Sequence, residues 1–335
     1  MTNRYLKNSM GDLILKHDNN YHFVASKVID TFKGGIPSAS VIIPYFESRK
    51  TINCCLEYLF ESINFVKKQY KEWKVEVTVI DDGSVNFPAR KFIKKSLFKH
   101  INLIVQPENK GITEARNTGL SNSKNQLAIY MDSDIILPKD LLLNHLKLQG
   151  FCQTKKQSCI SFSLFNFTDM EEWHKSSNKE RFFKTNNDFR EKCLYEDTWI
   201  GYEDDKKFIG NKFTILETTK YLSDWPKSGQ FGPWCLANMV LGGFFTVDRG
   251  KAIEINGCSP YFGKYGFVET SLVTKVLAKF DDFIIPVIKS HAVHLFNKQA
   301  SFDKSKRDLL FRKAHDLYFN HYLKFDLIKV INEKI

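Results

Sequence analysis

Apolar and polar positions follow two rhythms through the first half of the chain. Short, mostly apolar runs at 39–45, 75–80, 101–105 and 126–131 read as strands, the first of them buried. Between them the spacing turns helical. Residues 47 to about 70 place Ile52, Cys55, Leu56, Leu59, Ile63 and Val66 on one face, a basic helix is expected near 87–99, and another spans 113–121. Repeated strand–helix alternation predicts an α/β fold with a mostly parallel central sheet covered on both faces. The second half is less regular. A helix is expected over 137–149 and a strand over 159–165, whereas 168–235 is polar, aromatic and hard to assign, with Trp173, Trp199, Trp225 and Trp234. Apolar pattern resumes over 239–247 around Gly242 and Gly243. It continues as a short helix at 249–255, a clear helix at 270–280, a strand at 283–287 and a helical tail over 302–335 carrying Phe311, Tyr318, Phe319 and Phe325. Residues 1–37 lack strong periodicity and read as an N-terminal extension ending at Gly34-Gly35-Ile36-Pro37.

In parallel α/β sheets, ligands bind beyond the carboxyl ends of the strands. Three polar loops, at 44–47, 81–84 and 132–134, fall there and would converge on one crevice. Asp132 and Asp134, at i and i+2 where a strand runs out, point to the same side. Paired hard oxygens suit Mg²⁺ or Mn²⁺, with phosphate oxygens completing the shell. The plainer alternative is a strand-to-helix turn around Pro138, with Asp134 or Asp140 as the helix cap.

Composition changes this picture little. With 335 residues, 43% hydrophobic and 26% charged, the chain can bury a substantial core. It has no apolar run of about 18 residues, so a spanning helix is not expected. The start, Met1 to Tyr5, leads into polar sequence and not an apolar signal core. The 7 cysteines are an odd count without metal-ligand spacing, and Cys54 and Cys55, adjacent on a helix, point in different directions. A reduced, cytoplasmic setting is the simplest account. The 49 basic against 38 acidic residues give a net charge of +11. The lysines are scattered, and no nucleic-acid module accompanies them. The charge is compatible with peripheral association at the inner face of a membrane, and no nucleic-acid partner is expected.

Four segments in order carry a resemblance: Ser40-Val41-Ile42-Ile43-Pro44-Tyr45, Val79-Ile80-Asp81-Asp82-Gly83-Ser84, Asn109-Lys110-Gly111-Ile112-Thr113-Glu114-Ala115-Arg116-Asn117-Thr118-Gly119, and Met131-Asp132-Ser133-Asp134. In order and spacing they resemble glycosyltransferase family 2. The resemblance implies a single Rossmann-like, A-type glycosyltransferase domain with a helical C-terminal tail. It divides the chain into an extension (1–37), a nucleotide-sugar-binding half (38–150), an acceptor-binding and catalytic half (151–300) and the tail (301–335). Pro44, Tyr45, Glu47 and Asp81 would hold the nucleotide, with Asp81 at the position that usually accepts the N–H of the base. Asp82 would bind there or fix the loop, an Asx-turn before Gly83 being the simpler reading. Gly111 would let backbone pass close to the donor. Arg116 would pair with a carboxylate or the diphosphate, unless it is an ordinary helix-surface arginine. Asp132, Ser133 and Asp134 would hold the metal and the diphosphate leaving group, the metal acting as a Lewis acid.

The second half carries a weaker echo of the galactosyltransferase and polysaccharide-synthase type. A Gly-Gly strand, Leu241-Gly242-Gly243-Phe244-Phe245, precedes Tyr265-Gly266-Phe267-Val268-Glu269-Thr270-Ser271-Leu272. Glu269 falls where the family places an Asp general base, and Val268 stands where a Glu is usual. Glu is competent as a base, and the competing role is a cap on the helix near Thr270. His294, ahead of His291, fits the spacing of a further metal ligand beside Asp132 and Asp134. Gly201-Tyr202-Glu203-Asp204-Asp205 reads as an acidic loop. The resemblance implies a metal-dependent (Mn²⁺ or Mg²⁺), inverting transfer from a nucleotide-diphosphate sugar, with UDP-sugar expected, to a glycan, lipid-linked or peptide acceptor. A sugar nucleotidyltransferase and a degenerate nucleotide-sugar-binding protein are the alternatives.

Overall fold

The structure, a computed structural model, describes residues 8–17, 19, 28–185, 187–188, 230–231, 234–263, 265–296 and 304–332. The acidic loop at 201–205 and Trp199 and Trp225 lie outside the described residues.

The strands are β1 (Ala39–Tyr45), β2 (Val75–Asp81), β3 (Asn102–Val105), β4 (Leu127–Met131), β5 (Ile135–Ile136), β6 (Cys159–Asp169), β7 (Gln230–Phe231), β8 (Trp234–Cys235), β9 (Phe244–Asp248) and β10 (Phe283–Phe296). Eight of them form one sheet in the order β3-β2-β1-β4-β9-β6-β10-β5. β1 pairs parallel with β2 and β4, β2 with β3, and β6 with β10. β9 runs antiparallel between β4 and β6 and so splices the two halves into one sheet. This is the mixed, mostly parallel α/β architecture expected of the A-type fold, with helices at the C-terminal end.

β1, β4 and most of β6 are buried along their length, as strands covered on both faces are. Prolines sit where the ladder does not need their missing N–H. Pro44 lies beyond the last β1–β4 pair, Ile42 with Tyr130. Pro286 lies on a stretch of β10 that pairs with β6 alone, because β5 reaches only Val293 and His294.

The helix Ile52–Gln69 buries the predicted face: Ile52, Cys55, Leu56, Leu59, Ile63 and Val66. It starts later than expected because Glu47 adopts a left-handed backbone (φ 53°). The basic helix expected at 87–99 is instead two single turns, Ala89–Phe92 and Lys95–Phe98. Asn53 causes the break: its amide donates to Phe92 O at 2.8 Å, and its carbonyl accepts from Lys94 N at 2.8 Å. A side chain from another element takes the groups that would have continued the helix. The helix expected at 137–149 begins at Leu141 and runs to Thr154, since Ile135–Ile136 is committed to β5. The extension also has structure. Met10–Lys16 is a helix with Met10 and Ile14 buried, and Met10 N donates to Phe325 O at 3.0 Å, tying the first described residues to the last helices.

Candidate active site

The loops after β1, β2 and β4 meet as expected of strand carboxyl ends. Together with Gly111, Ile112 and Ala115 they line a crevice of about 320 Å³ that includes Pro44, Tyr45, Asp82, Asp132, Ser133 and Asp134. Its floor is rigid because carboxylates hold the backbone. Asp82 accepts from Lys110 N at 2.8 Å and Gly111 N at 2.9 Å, which seats Gly111 at φ 96°, a conformation glycine tolerates. Glu47 accepts from Val85 N and Asn86 N, each at 2.9 Å, and Phe87 N at 2.6 Å. Burial works against its charged form, but these backbone donors outweigh it and lower its pKa. Tyr45 is buried with its hydroxyl on Phe87 O, and burial raises its pKa.

Asp81, the acid expected to accept from the base, is held inside the folded loop. It is 0% exposed, it accepts from Ser84 N at 3.0 Å and Ala89 N at 2.7 Å, and it does not line the crevice. Its carboxylate folds the 81–89 loop. Glu47 is likewise a loop fastener. Of these acids Asp82 alone lines the crevice, as a loop-fixing carboxylate in its wall.

Arg116 is not a helix-surface arginine. It is 1% exposed and spans the junction between the halves, donating from Nη2 to Asp132 Oδ1 at 2.9 Å and from Nη1 to Glu269 Oε2 at 3.0 Å. Nη2 also reaches Gly242 O at 3.3 Å. Burial disfavours the guanidinium charge, but Asp132 and Glu269 reverse that and raise its pKa, so it stays a cation. A Cβ on Gly242 would stand 2.1 Å from Nη2, so glycine makes room for the guanidinium. Glu269 also accepts from Gly242 N at 3.1 Å. It lies in the first turn of the helix Val268–Phe280, but its carboxylate crosses to the β9 approach and does not cap that helix. Burial pushes the Asp132 carboxyl above the ordinary range; Arg116 opposes this, while Asp134 and Glu269 add to it.

Asp140 makes no side-chain cap to the helix it precedes, and Asp134 is turned elsewhere. Its Oδ2 lies 3.5 Å from His294 Nε2, while its buried Oδ1 has no hydrogen-bond partner among the described residues. A buried carboxylate oxygen without a donor is costly and suits a cation. His294 stands over Phe165 and Phe167 in β10. His291 does not line the crevice. Among the described residues, no three acidic, histidine or cysteine side chains are arranged as a metal cage. The expected trio is thus not assembled: Arg116 takes one oxygen of Asp132, and His294 contacts Asp134. The donor set nevertheless fits a divalent ion held by one or two carboxylates and completed by phosphate oxygens.

A second cavity, of about 360 Å³, lies on the other side of Asp132. Arg116, Asp132, Gly242, Glu269 and His294 line its chemical end, and Phe165, Phe167, Asn238, Tyr265, Phe267, Phe311 and His315 form much of the rest. The two cavities share Asp132 and Ile112. Sequence reading had not picked out Asn238, Tyr265 or His315. The only signal was a general one, the aromatic content of the second half and the tail.

A sheet of this order, with an Asp-x-Asp turn shared by two cavities, defines an A-type transferase scaffold. The chain belongs to glycosyl transferase family 2, whose family model matches residues 40–210. It is 33% identical over 111 residues to the uncharacterized glycosyltransferase YfnE of Bacillus subtilis, covering 32% of this chain and 26% of that protein. It is 32% identical over 103 residues to the glycosyltransferase AglE of Haloferax volcanii, covering 30% of this chain and 31% of that one. The matched stretches therefore take in less than a third of either relative. Among solved structures, GalNAc-T7 with UDP, GalNAc and Mn²⁺ superposes with a TM-score of 0.55 at 14% identity, over 87% of this chain and 49% of that one. That similarity speaks to the fold. No described helix is long and apolar enough to cross a membrane.

Proposed function

We propose that this chain transfers a sugar from a nucleotide-diphosphate sugar to an acceptor hydroxyl. The observation that carries this is the meeting of two cavities at Asp132, with Arg116 linking Asp132 on the donor side to Glu269 on the other. Family membership supports the reaction class.

The crevice between Tyr45, Asp82 and Gly111 takes the nucleotide, and its preset backbone needs little reordering on binding. Asp134, with Asp132 and His294 beside it, would hold a divalent cation; when bound, that ion supplies Lewis-acid neutralisation of the departing diphosphate. The structure of GalNAc-T7 with UDP and Mn²⁺ makes Mn²⁺ and UDP the first pair to test. Glu269 faces the second cavity with one oxygen on Arg116 and the other on Gly242 N. A carboxylate so placed can take a proton from an acceptor hydroxyl. Arg116 fixes its orientation. Attack from that cavity, on the face opposite the diphosphate, makes the reaction a single displacement with inversion.

The test is to incubate the protein with UDP- and GDP-sugars, with Mn²⁺, with Mg²⁺ and with EDTA, and to follow release of the nucleoside diphosphate and the anomeric form of the product. Metal-dependent release from at least one donor, with an inverted product, is expected. Pyrophosphate formation from a sugar 1-phosphate and a nucleoside triphosphate would replace this reading with a nucleotidyltransferase.

A further inference from the structure

The second cavity has a wall that none of the strand-end loops supplies. Tyr265 lies four residues before Glu269 and lines the same cavity, yet it is 43% exposed and so stands toward the mouth. Its ring lies 6.5 Å from that of Phe311, on the C-terminal helix Lys304–Asp316. Phe311 is held in turn by Phe267, with ring centroids 5.6 Å apart. Phe267 is left-handed (φ 59°) and follows Gly266 at φ 80°. A Cβ on Gly266 would meet Ala314 at 3.3 Å and Phe311 at 3.4 Å. Turn and helix are therefore shaped to each other. The turn sends Glu269 inward and Tyr265 outward, and the tail closes the facing side.

The lining chooses among occupants. It mixes aromatic faces with the hydrogen-bonding side chains Asn238, Thr270 and His315. A sugar ring presents polarised C–H groups on its face and hydroxyls around its rim. The negative face of an aromatic ring attracts the first, and polar side chains meet the second. With the reacting hydroxyl at Glu269, the next sugar unit out lies toward Tyr265 and Phe311.

We propose that Tyr265 and Phe311 form a stacking subsite for the second sugar of the acceptor, so that the acceptor is a saccharide chain engaged through its two terminal units. This rests on the transferase reading above. The test is a printed array of mono- and oligosaccharides together with acyl-chain conjugates, probed with labelled protein in UDP or GDP and Mn²⁺. Calorimetric nucleotide affinity is read alongside for the wild type and for Tyr265→Ala, Tyr265→Phe and Phe311→Leu. Phe311→Leu keeps an apolar contact to Phe267 while removing the ring, and Tyr265 is exposed enough to replace without unfolding the turn. The wild type should retain disaccharides and longer chains but not monosaccharides. Tyr265→Ala and Phe311→Leu should lose at least about tenfold in apparent affinity, and Tyr265→Phe should keep it. Capture unchanged in Tyr265→Ala, equal capture of monosaccharides, or preference for acyl chains overturns the subsite. A wild type that binds nucleotide but holds no saccharide overturns the subsite alone. A wild type that binds neither nucleotide with Mn²⁺ overturns the transferase reading and the subsite with it.

Discussion

The two cavities on either side of Asp132 are built in opposite ways. The strand-end crevice comes from short loops whose backbone is held by carboxylates: Asp82, in its wall, on Lys110 and Gly111, and behind it Asp81 on Ser84 and Ala89 and Glu47 on Val85, Asn86 and Phe87. The second cavity is assembled from side chains as far apart as Phe165 and His315. The first is a local device, set once the parallel strands pair. The second requires β9, the helix Val268–Phe280 and the C-terminal helix to be packed together. On the proposed function, a preset site suits a ligand that is the same at every turnover, while a side-chain wall can be altered to suit another acceptor without disturbing the nucleotide.

The difference predicts that damage on one side will read differently from damage on the other. The largest effect is expected on the donor side, from Asp134→Ala. Losing a carboxylate that would hold the cation neutralising a leaving diphosphate should lower transfer by roughly 1,000-fold, equivalent to about 4 kcal/mol, and should flatten the dependence on Mn²⁺ concentration. Equal metal-dependent rates in wild type and variant would remove Asp134 from the site. Next is Glu269→Gln, on the acceptor side. The amide can still accept from Gly242 N but cannot take a proton, so kcat should fall by roughly 100-fold or more, with nucleotide affinity held within a few-fold. More than a tenth of wild-type kcat would leave Glu269 a structural partner of Arg116.

Gly242→Ala probes the junction. The added Cβ would stand 2.1 Å from Arg116 Nη2 and 3.0 Å from Cζ, and a guanidinium with 1% exposure has nowhere to retreat. Overpacking of this kind should cost about 1–3 kcal/mol in urea unfolding. It should also loosen both acids that Arg116 holds, so nucleotide affinity and turnover fall together, unlike either single-sided variant. Wild-type stability would show that Arg116 is not pinned as the structure places it.

The same contrast explains what was legible beforehand. β1, the buried face of Ile52–Gln69 and the strand-end position of Asp132 and Asp134 follow from local pattern, because apolar period and turn residues are encoded within a few positions. What failed depended on distant partners. The break after Phe92 comes from Asn53, 39 residues away. β10 was expected to stop at Val287, because Lys289, Ser290 and His291 interrupt the apolar run; the strand instead shifts register against β6 and resumes at Ala292. The Arg116–Glu269 contact spans 153 residues, so no spacing rule reaches it.

The smallest effect lies at the seam beneath both cavities. His145, on the helix Leu141–Thr154, is fully buried between Ser161 Oγ and Ser163 Oγ of β6, each at 2.8 Å. Its neighbour Gln149 reaches across to Thr246 of β9 at 2.6 Å. Burial lowers the His145 pKa from 6.5 to about 3, because the charged ring would lose its water. The folded state therefore refuses a proton that the unfolded chain accepts below about pH 6.5. The stability from keeping His145 neutral is complete above that pH and is lost as pH falls toward 3. At pH 5 the loss should be about 2 kcal/mol, from roughly 1.5 pH units at 1.36 kcal/mol each. Urea unfolding at pH 7 and pH 5 checks this: the wild type should lose about 2 kcal/mol more than His145→Gln, which has no proton to gain. Equal losses would mean that the ring is charged in the folded protein, and that the seam joining the two halves opens to water more readily than its burial indicates.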